Sequence, residues 1–199
     1  MSVTYGEDIR TRLQRDDGLL LERLADIFGP DTDDLNSRFT HYTELLTLFE
    51  QIYDPQQQTA LIRAPARINL KGVHVDHRGG YLNYMAIDRE VVMVVSPRDD
   101  DLVVLHDEAS DAFGARQFYI GEAMPPEKRG QWQTYIEQVT LAPGDWSNYI
   151  RAAVLRLQDH FKTQPLCGMN LLVASDIPIA AGLSSSSALV VAACEACLW

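Results

Sequence analysis

Pro178-Ile-Ala-Ala-Gly-Leu-Ser-Ser-Ser-Ser-Ala188 lies between two apolar runs. The run before it, Met169 to Ala174, reads as a strand. The run after it, Ala188 to Leu198, is rich in Ala and reads as a helix. Strand, small-residue turn and helix together make an anion cradle. The first N–H groups of a helix have no partners inside it, and the helix dipole adds partial positive charge there. Phosphate binds such a place readily. Gly182 permits a positive φ and close backbone approach. The hydroxyls of Ser184 to Ser187 can cap the helix, contact phosphate oxygens or ligate a cation. A Ser-rich cap on a buried helix is the plainer alternative. One Ser suffices for a cap, and four after Ala-Gly-Leu exceed that need.

The chain has 199 residues, enough for one substantial domain or a tight pair. Its hydrophobic content of 46% and charged content of 23% are those of a soluble globular protein. A net charge of −11 argues against general nucleic-acid binding and against a role on membrane surfaces. It does not exclude ATP, because a nest of N–H groups and a divalent cation act locally. Met1 to Asp17 is polar and charged and does not read as a secretory signal. No apolar run approaches the roughly 20 residues of a membrane span. The three cysteines, Cys167, Cys194 and Cys197, fit a reducing, cytoplasmic setting. Cys194-x-x-Cys197 falls inside the last helix and reads as two small core residues.

Residues 1–58 read as a helical extension. Ile9, Leu13, Leu20, Leu21, Leu24, Ile27 and Phe28 recur at helical spacing, and Gly29-Pro30 ends that run. Asp31 to Ser37 reads as a polar loop, Phe39 to Tyr53 as a second helix, and Asp54 to Gln58 as a linker. From residue 59 the texture is β-rich. Short strands are expected at Leu61–Ala64 and Arg67–Leu70, then at Met85–Ser96, Leu102–His106 and Gln117–Ile120. A short helix is expected over Trp132–Leu141, and a longer one over Asn148–Phe161, capped by Asp145 or Ser147. Strands grouped before helices predict an α+β fold, with a mixed sheet and helices on one face.

A second polar constellation lies in Ala64-Pro-Ala-Arg-Ile-Asn-Leu-Lys-Gly-Val-His-Val-Asp-His-Arg-Gly-Gly80. Arg67, Lys71, His74, Asp76, His77 and Arg78 crowd into twelve residues. In an extended chain His74 and Asp76 share a face. A carboxylate that accepts and an imidazole that does either can hold sugar hydroxyls. A solvated loop and a His-x-Asp-His metal site are the alternatives. That spacing is not diagnostic of a metal, and no further ligands are visible.

The segment 64–80 resembles the opening motif of galactokinases. The segment 178–186 resembles the Pro-x-x-x-Gly-Leu-x-Ser-Ser motif of the GHMP small-molecule kinases. Trp146-Ser-Asn-Tyr149 is similar to the Trp-x-Asn-Tyr of galactokinases, and the three occur in the family's order. The resemblance covers residues 60–199. It implies a GHMP kinase N-terminal ATP-binding domain over 59–199, with a fold like ribosomal protein S5 domain 2. It also implies phosphotransfer from ATP, with Mg2+, to the C1 hydroxyl of a small sugar. By resemblance Ala181, Gly182, Leu183, Ser184, Ser185 and Ser186 cradle the phosphates, and Ser186 ligates Mg2+. Trp146 matches a residue near the adenine. Arg67 matches an arginine beside the transferred phosphate, where a fixed guanidinium suits developing charge. His74 and Asp76 match sugar-contacting positions.

Two departures from the family bear on function. Val73 stands where galactokinases have Glu before the His, as plant galacturonokinases carry a small apolar residue there. A sugar with a C6 carboxylate is then the leading substrate, and Lys71, His77 or Arg78 can pair with it. The family's catalytic Asp lies some tens of residues past the Ser-rich motif, beyond Trp199. The chain stops inside an apolar helix pattern. The expectation is therefore an N-terminal portion, inactive alone, whose exposed apolar surface favours self-association. A non-catalytic sugar- and ATP-binding regulator of the same family is the rival reading, motivated by the N-terminal helices. A truncated product without activity is the third.

Overall fold

The computed structural model describes residues 18–54, 57–72, 78–109, 114–179 and 181–199. Helices α1 (Leu19–Phe28) and α2 (Thr32–Ile52) come first. Strands β1 (Ala60–Lys71), β2 (Asn83–Pro97), β3 (Leu102–Asp107) and β4 (Arg116–Tyr119) follow. Then come a one-turn helix α3 (Ile120–Ala123), α4 (Trp132–Gln138), α5 (Ser147–His160), β5 (Met169–Ser175) and α6 (Ser185–Leu198). The five strands form one mixed sheet in the order β1-β2-β5-β3-β4. Only the central β3–β5 pair is parallel. The α+β class with a mixed sheet is as expected.

Helices cover both faces of this sheet, not one. Val91, Met93, Val95, Leu171 and Val173 pack with Ile150, Val154, Ala188, Ala192 and Ala196 of α5 and α6. Val92, Val94, Leu172 and Ala174, on the opposite face, pack with Leu24 of α1 and Leu45, Leu46 and Phe49 of α2. Side chains alternate along a strand, so an unbroken apolar run supplies both faces at once. The N-terminal helices take the second face because β2 and β5 leave it apolar.

Two boundaries differ for local reasons. The stretch read as a polar loop, Asp31 to Ser37, begins α2. The Asp31 carboxylate accepts from the N–H groups of Asp33 (3.0 Å) and Asp34 (3.4 Å). Acidic residues also suit the positive end of a helix. Two expected short strands are one strand, β1, running through Pro65. Proline is tolerated there because β1 is an edge strand.

A buried carboxylate fastens the helices to the sheet. Glu90 of β2 is 3% exposed. It accepts from Arg63 of β1 at 2.5 Å, from Arg38 of α2 at 3.3 Å and from the Tyr42 hydroxyl. Arg38 also donates to the Asp88 carbonyl at 2.5 Å. Both guanidinium groups stack on the Phe28 ring, at 3.6 and 4.7 Å from its centroid. Burial, and then the Glu90 carboxylate, hold the Tyr42 phenol above its ordinary range. At the other end of α2, the Tyr53 hydroxyl meets His106 Nδ1 at 2.6 Å.

Glu90→Ala leaves two cations facing an apolar floor. We expect it to destabilise the fold by about 3–5 kcal/mol in urea unfolding, the usual cost of breaking a buried pair. Burial holds the His106 pKa below its ordinary 6.5. The unfolded chain then binds a proton that the folded one resists, so stability falls as pH drops below 6.5. His106→Asn should flatten the pH dependence of the urea midpoint between about pH 7 and 5 relative to the parent.

Candidate nucleotide cleft and its approaches

The turn before α6 has the conformation of a cradle. Gly182 has a φ of 73°, and a Cβ there would meet open space. Ser184 has a φ of 65° and is the one non-glycine residue with positive φ among those described. Its side chain makes no capping bond to α6, so the cap alternative lacks its defining contact. Ser185 and Ser186 are half-buried in the first turn of α6.

These two serines share a cleft of about 760 Å³ with Trp146. The volume lies within the range of small-molecule sites. Trp146 precedes α5, whose start is fixed by Asp145: its carboxylate accepts from the N–H (3.0 Å) and hydroxyl (2.8 Å) of Ser147. The indole Nε1 of Trp146 is buried with no acceptor among the protein atoms. A buried donor of that kind is costly unless a partner reaches it. Tyr149, Ile179 and Leu189 supply apolar and aromatic surface. Asp107 and Glu108 line the rim. Burial pushes the Asp107 carboxyl above its ordinary range, although it accepts from Ala109 N at 2.8 Å.

Asp107 and Glu108 had no signal as a motif. Their position carries one: they end β3, which runs parallel to β5. In open sheets, ligands lie beyond the carboxyl ends of parallel strands. Ser175 and Ile177, which follow β5, line the same cleft.

Arg67 approaches the turn from the other side. The β1–β2 register shifts between Pro65 and Arg67, and the Arg67 N–H donates to the Leu183 carbonyl at 3.2 Å. Its guanidinium lies 4.1 Å from the centroid of the Tyr84 ring. The structure thus brings Trp146, Ser185 and Ser186 into one cleft and ties Arg67 to the turn through Leu183. Gly182 and Leu183 shape the turn without lining the cleft, and Leu183 packs on the core. Ala181 is exposed. Lys71 is exposed at the end of β1. The sequence-based sugar residues His74, Asp76 and His77 lie outside the described residues. Gly72, just before them, has a φ of 92°, and a Cβ there would run into the Tyr81 carbonyl.

Cys194 and Cys197 behave as core residues. Burial raises both thiols, Cys197 to about 12, which keeps them protonated. Among the described residues no group of three His, Cys, Asp or Glu side chains can hold a metal ion. None of their helices is long and apolar enough to cross a membrane.

The description "Galactokinase galactose-binding signature" matches residues 47–97, and "GHMP kinases N terminal domain" matches residues 148–198. The chain belongs to the GHMP kinase family. Within that family it is galactokinase-like. Galactokinase of Roseiflexus sp. (strain RS-1) is 37% identical over 154 residues, spanning 75% of this chain and 33% of the relative. Human galactokinase is 33% identical, spanning 66% of this chain and 30% of the relative. The structure of Lactococcus lactis galactokinase with galactose superposes with a TM-score of 0.62 at 25% identity, over 76% of this chain and 35% of that one. Methanococcus jannaschii mevalonate kinase shares the fold at a TM-score of 0.52 and 22% identity, over 72% of this chain and 40% of that one. The chain spans about a third of the length of the curated relatives it matches.

Gly182→Ala forces an L-residue into the left-handed region without a steric clash. We expect a loss of about 1–2 kcal/mol in urea unfolding, from backbone strain alone.

Proposed function

We propose that this chain forms the nucleotide-binding region of an ATP-dependent sugar kinase. In the whole protein it transfers the γ-phosphoryl group to a hydroxyl, C1 by resemblance, of galactose or a related sugar. The observation that carries this reading is the cleft shared by Trp146, Ser185 and Ser186 at the start of α6. The backbone N–H groups there suit phosphate oxygens. The Ser186 hydroxyl suits Mg2+, which prefers oxygen donors and completes its shell with phosphates and water. Bound Mg2+ supplies charge neutralisation. The Trp146 indole offers an aromatic face to the base. Arg67 supplies a fixed positive charge opposite the transferred group. Positioning and electrostatics are most of what phosphoryl transfer asks of a protein.

The sugar is held, in this reading, by His74, Asp76, Lys71 and His77. The galactose-binding signature over 47–97 and the galactokinase relatives support galactose. Val73, in place of the glutamate of galactokinases, favours a sugar with a C6 carboxylate, galacturonate above all. Removing that glutamate removes a repulsive charge and a hydroxyl acceptor together.

ADP release by the full-length protein, measured with galactose and with galacturonate, tests the reading. Phosphorylation of at least one sugar is expected, and failure with both rejects it. A strong galactose preference rejects the uronic acid. Arg67→Ala should lower kcat by about 100- to 1,000-fold, the usual cost of losing a donor to developing charge. Its ATP affinity should change far less.

A further inference from the structure

The phosphate turn is tied at both ends to one irregularity of the sheet. The β1–β2 ladder is regular up to the pair Pro65–Glu90 and resumes at Arg67–Ala86. On one side of the break, the Glu90 N–H donates to Asp176 Oδ1 at 2.6 Å, and the Asp176 N–H donates to the Glu90 carbonyl at 3.3 Å. On the other side, the Arg67 N–H donates to the Leu183 carbonyl. Asp176 immediately follows β5, two residues before the turn opens at Pro178. Asp176 and Leu183, on the two sides of the turn, are therefore each tied to one edge of the break.

Glu90 is itself held from below. Its backbone serves Asp176, while its carboxylate takes Arg63, Arg38 and the Tyr42 hydroxyl. Two of those three groups come from α2, on the opposite face of the sheet from α6. The Asp176 side chain does not line the cleft, and it reaches Arg89 at 3.2 Å on the surface.

We propose that Glu90 and Asp176 are positioning residues for the phosphate turn. Through them α2, which lies mostly outside both matched signatures, is a working part of the nucleotide site. The turn holds two residues with positive φ, Gly182 and Ser184, and only a constrained chain keeps a serine there. The carboxylate–amide bond from Asp176 to Glu90 supplies that constraint at its entry. The nucleotide part of this inference rests on the kinase reading above; the positioning part does not.

The test compares the full chain with Asp176→Ala, Asp176→Asn and Tyr42→Phe by amide hydrogen exchange. MgATP affinity is measured in parallel. Asp176→Ala should speed exchange across residues 178–187 and weaken MgATP by about tenfold, the worth of a hydrogen bond to a charged acceptor. Asp176→Asn keeps an acceptor oxygen for the Glu90 N–H and should restore both readouts to within about threefold. Tyr42→Phe, remote from the cleft, should speed exchange in the same segment while exchange in α5 stays unchanged. Uniform acceleration over the whole chain, or an unchanged turn in Asp176→Ala, overturns the positioning role. If the parent chain binds no MgATP, the kinase reading fails, while the exchange results still decide the positioning role.

Discussion

The β1–β2 ladder breaks opposite Ala66, and the site hangs on that break. Beside it the Arg67 N–H reaches the Leu183 carbonyl, and the turn before α6 acquires a fixed wall. The break is stable because Glu90, at its edge, is saturated by two guanidinium groups and a phenol. A buried carboxylate without such partners would cost more than its neighbours could return. The anchor of the turn is therefore ionic and lies in the sheet, away from the serines themselves.

Around that anchor the sheet creates a cleft from two convergent features. The parallel pair β3 and β5 points its carboxyl ends to one side, with Asp107 and Ser175 at the rim. The first turns of α5 and α6 line the same space through Asn148, Ser185 and Ser186. Two positive helix ends thus face one cleft in a chain of net charge −11. The carboxylates of Asp107, Glu108 and Asp145 line the same cleft, so an anion there depends on those helix ends and on a cation to offset them.

Much of this was legible in the sequence, and the remainder had physical reasons to be hidden. The strand–turn–helix around Gly182 was readable because few residue types tolerate such a turn. Trp146 and Arg67 were readable only through resemblance. The second helical layer was present in the unbroken Val91-Val-Met-Val-Val95 run, since alternation would have marked a solvated face. The run itself does not say which element covers each side, because that depends on long-range packing of α1 and α2. Glu90 was invisible: a single acidic residue after Asp88-Arg89 reads as surface, and its partners lie 27, 48 and 52 residues away. Likewise Asp31 to Ser37 read as a loop, although an Asp cap with acids after it is a helix start.

The most direct measurement is a crystal structure of the chain with Mg2+ and a non-hydrolysable ATP analogue. The base is expected against the Trp146 ring, with the phosphates on the first N–H groups of α6 beside Ser185 and Ser186. A nucleotide seated elsewhere, such as in the mixed-charge groove between α2 and Asp176, would contradict it.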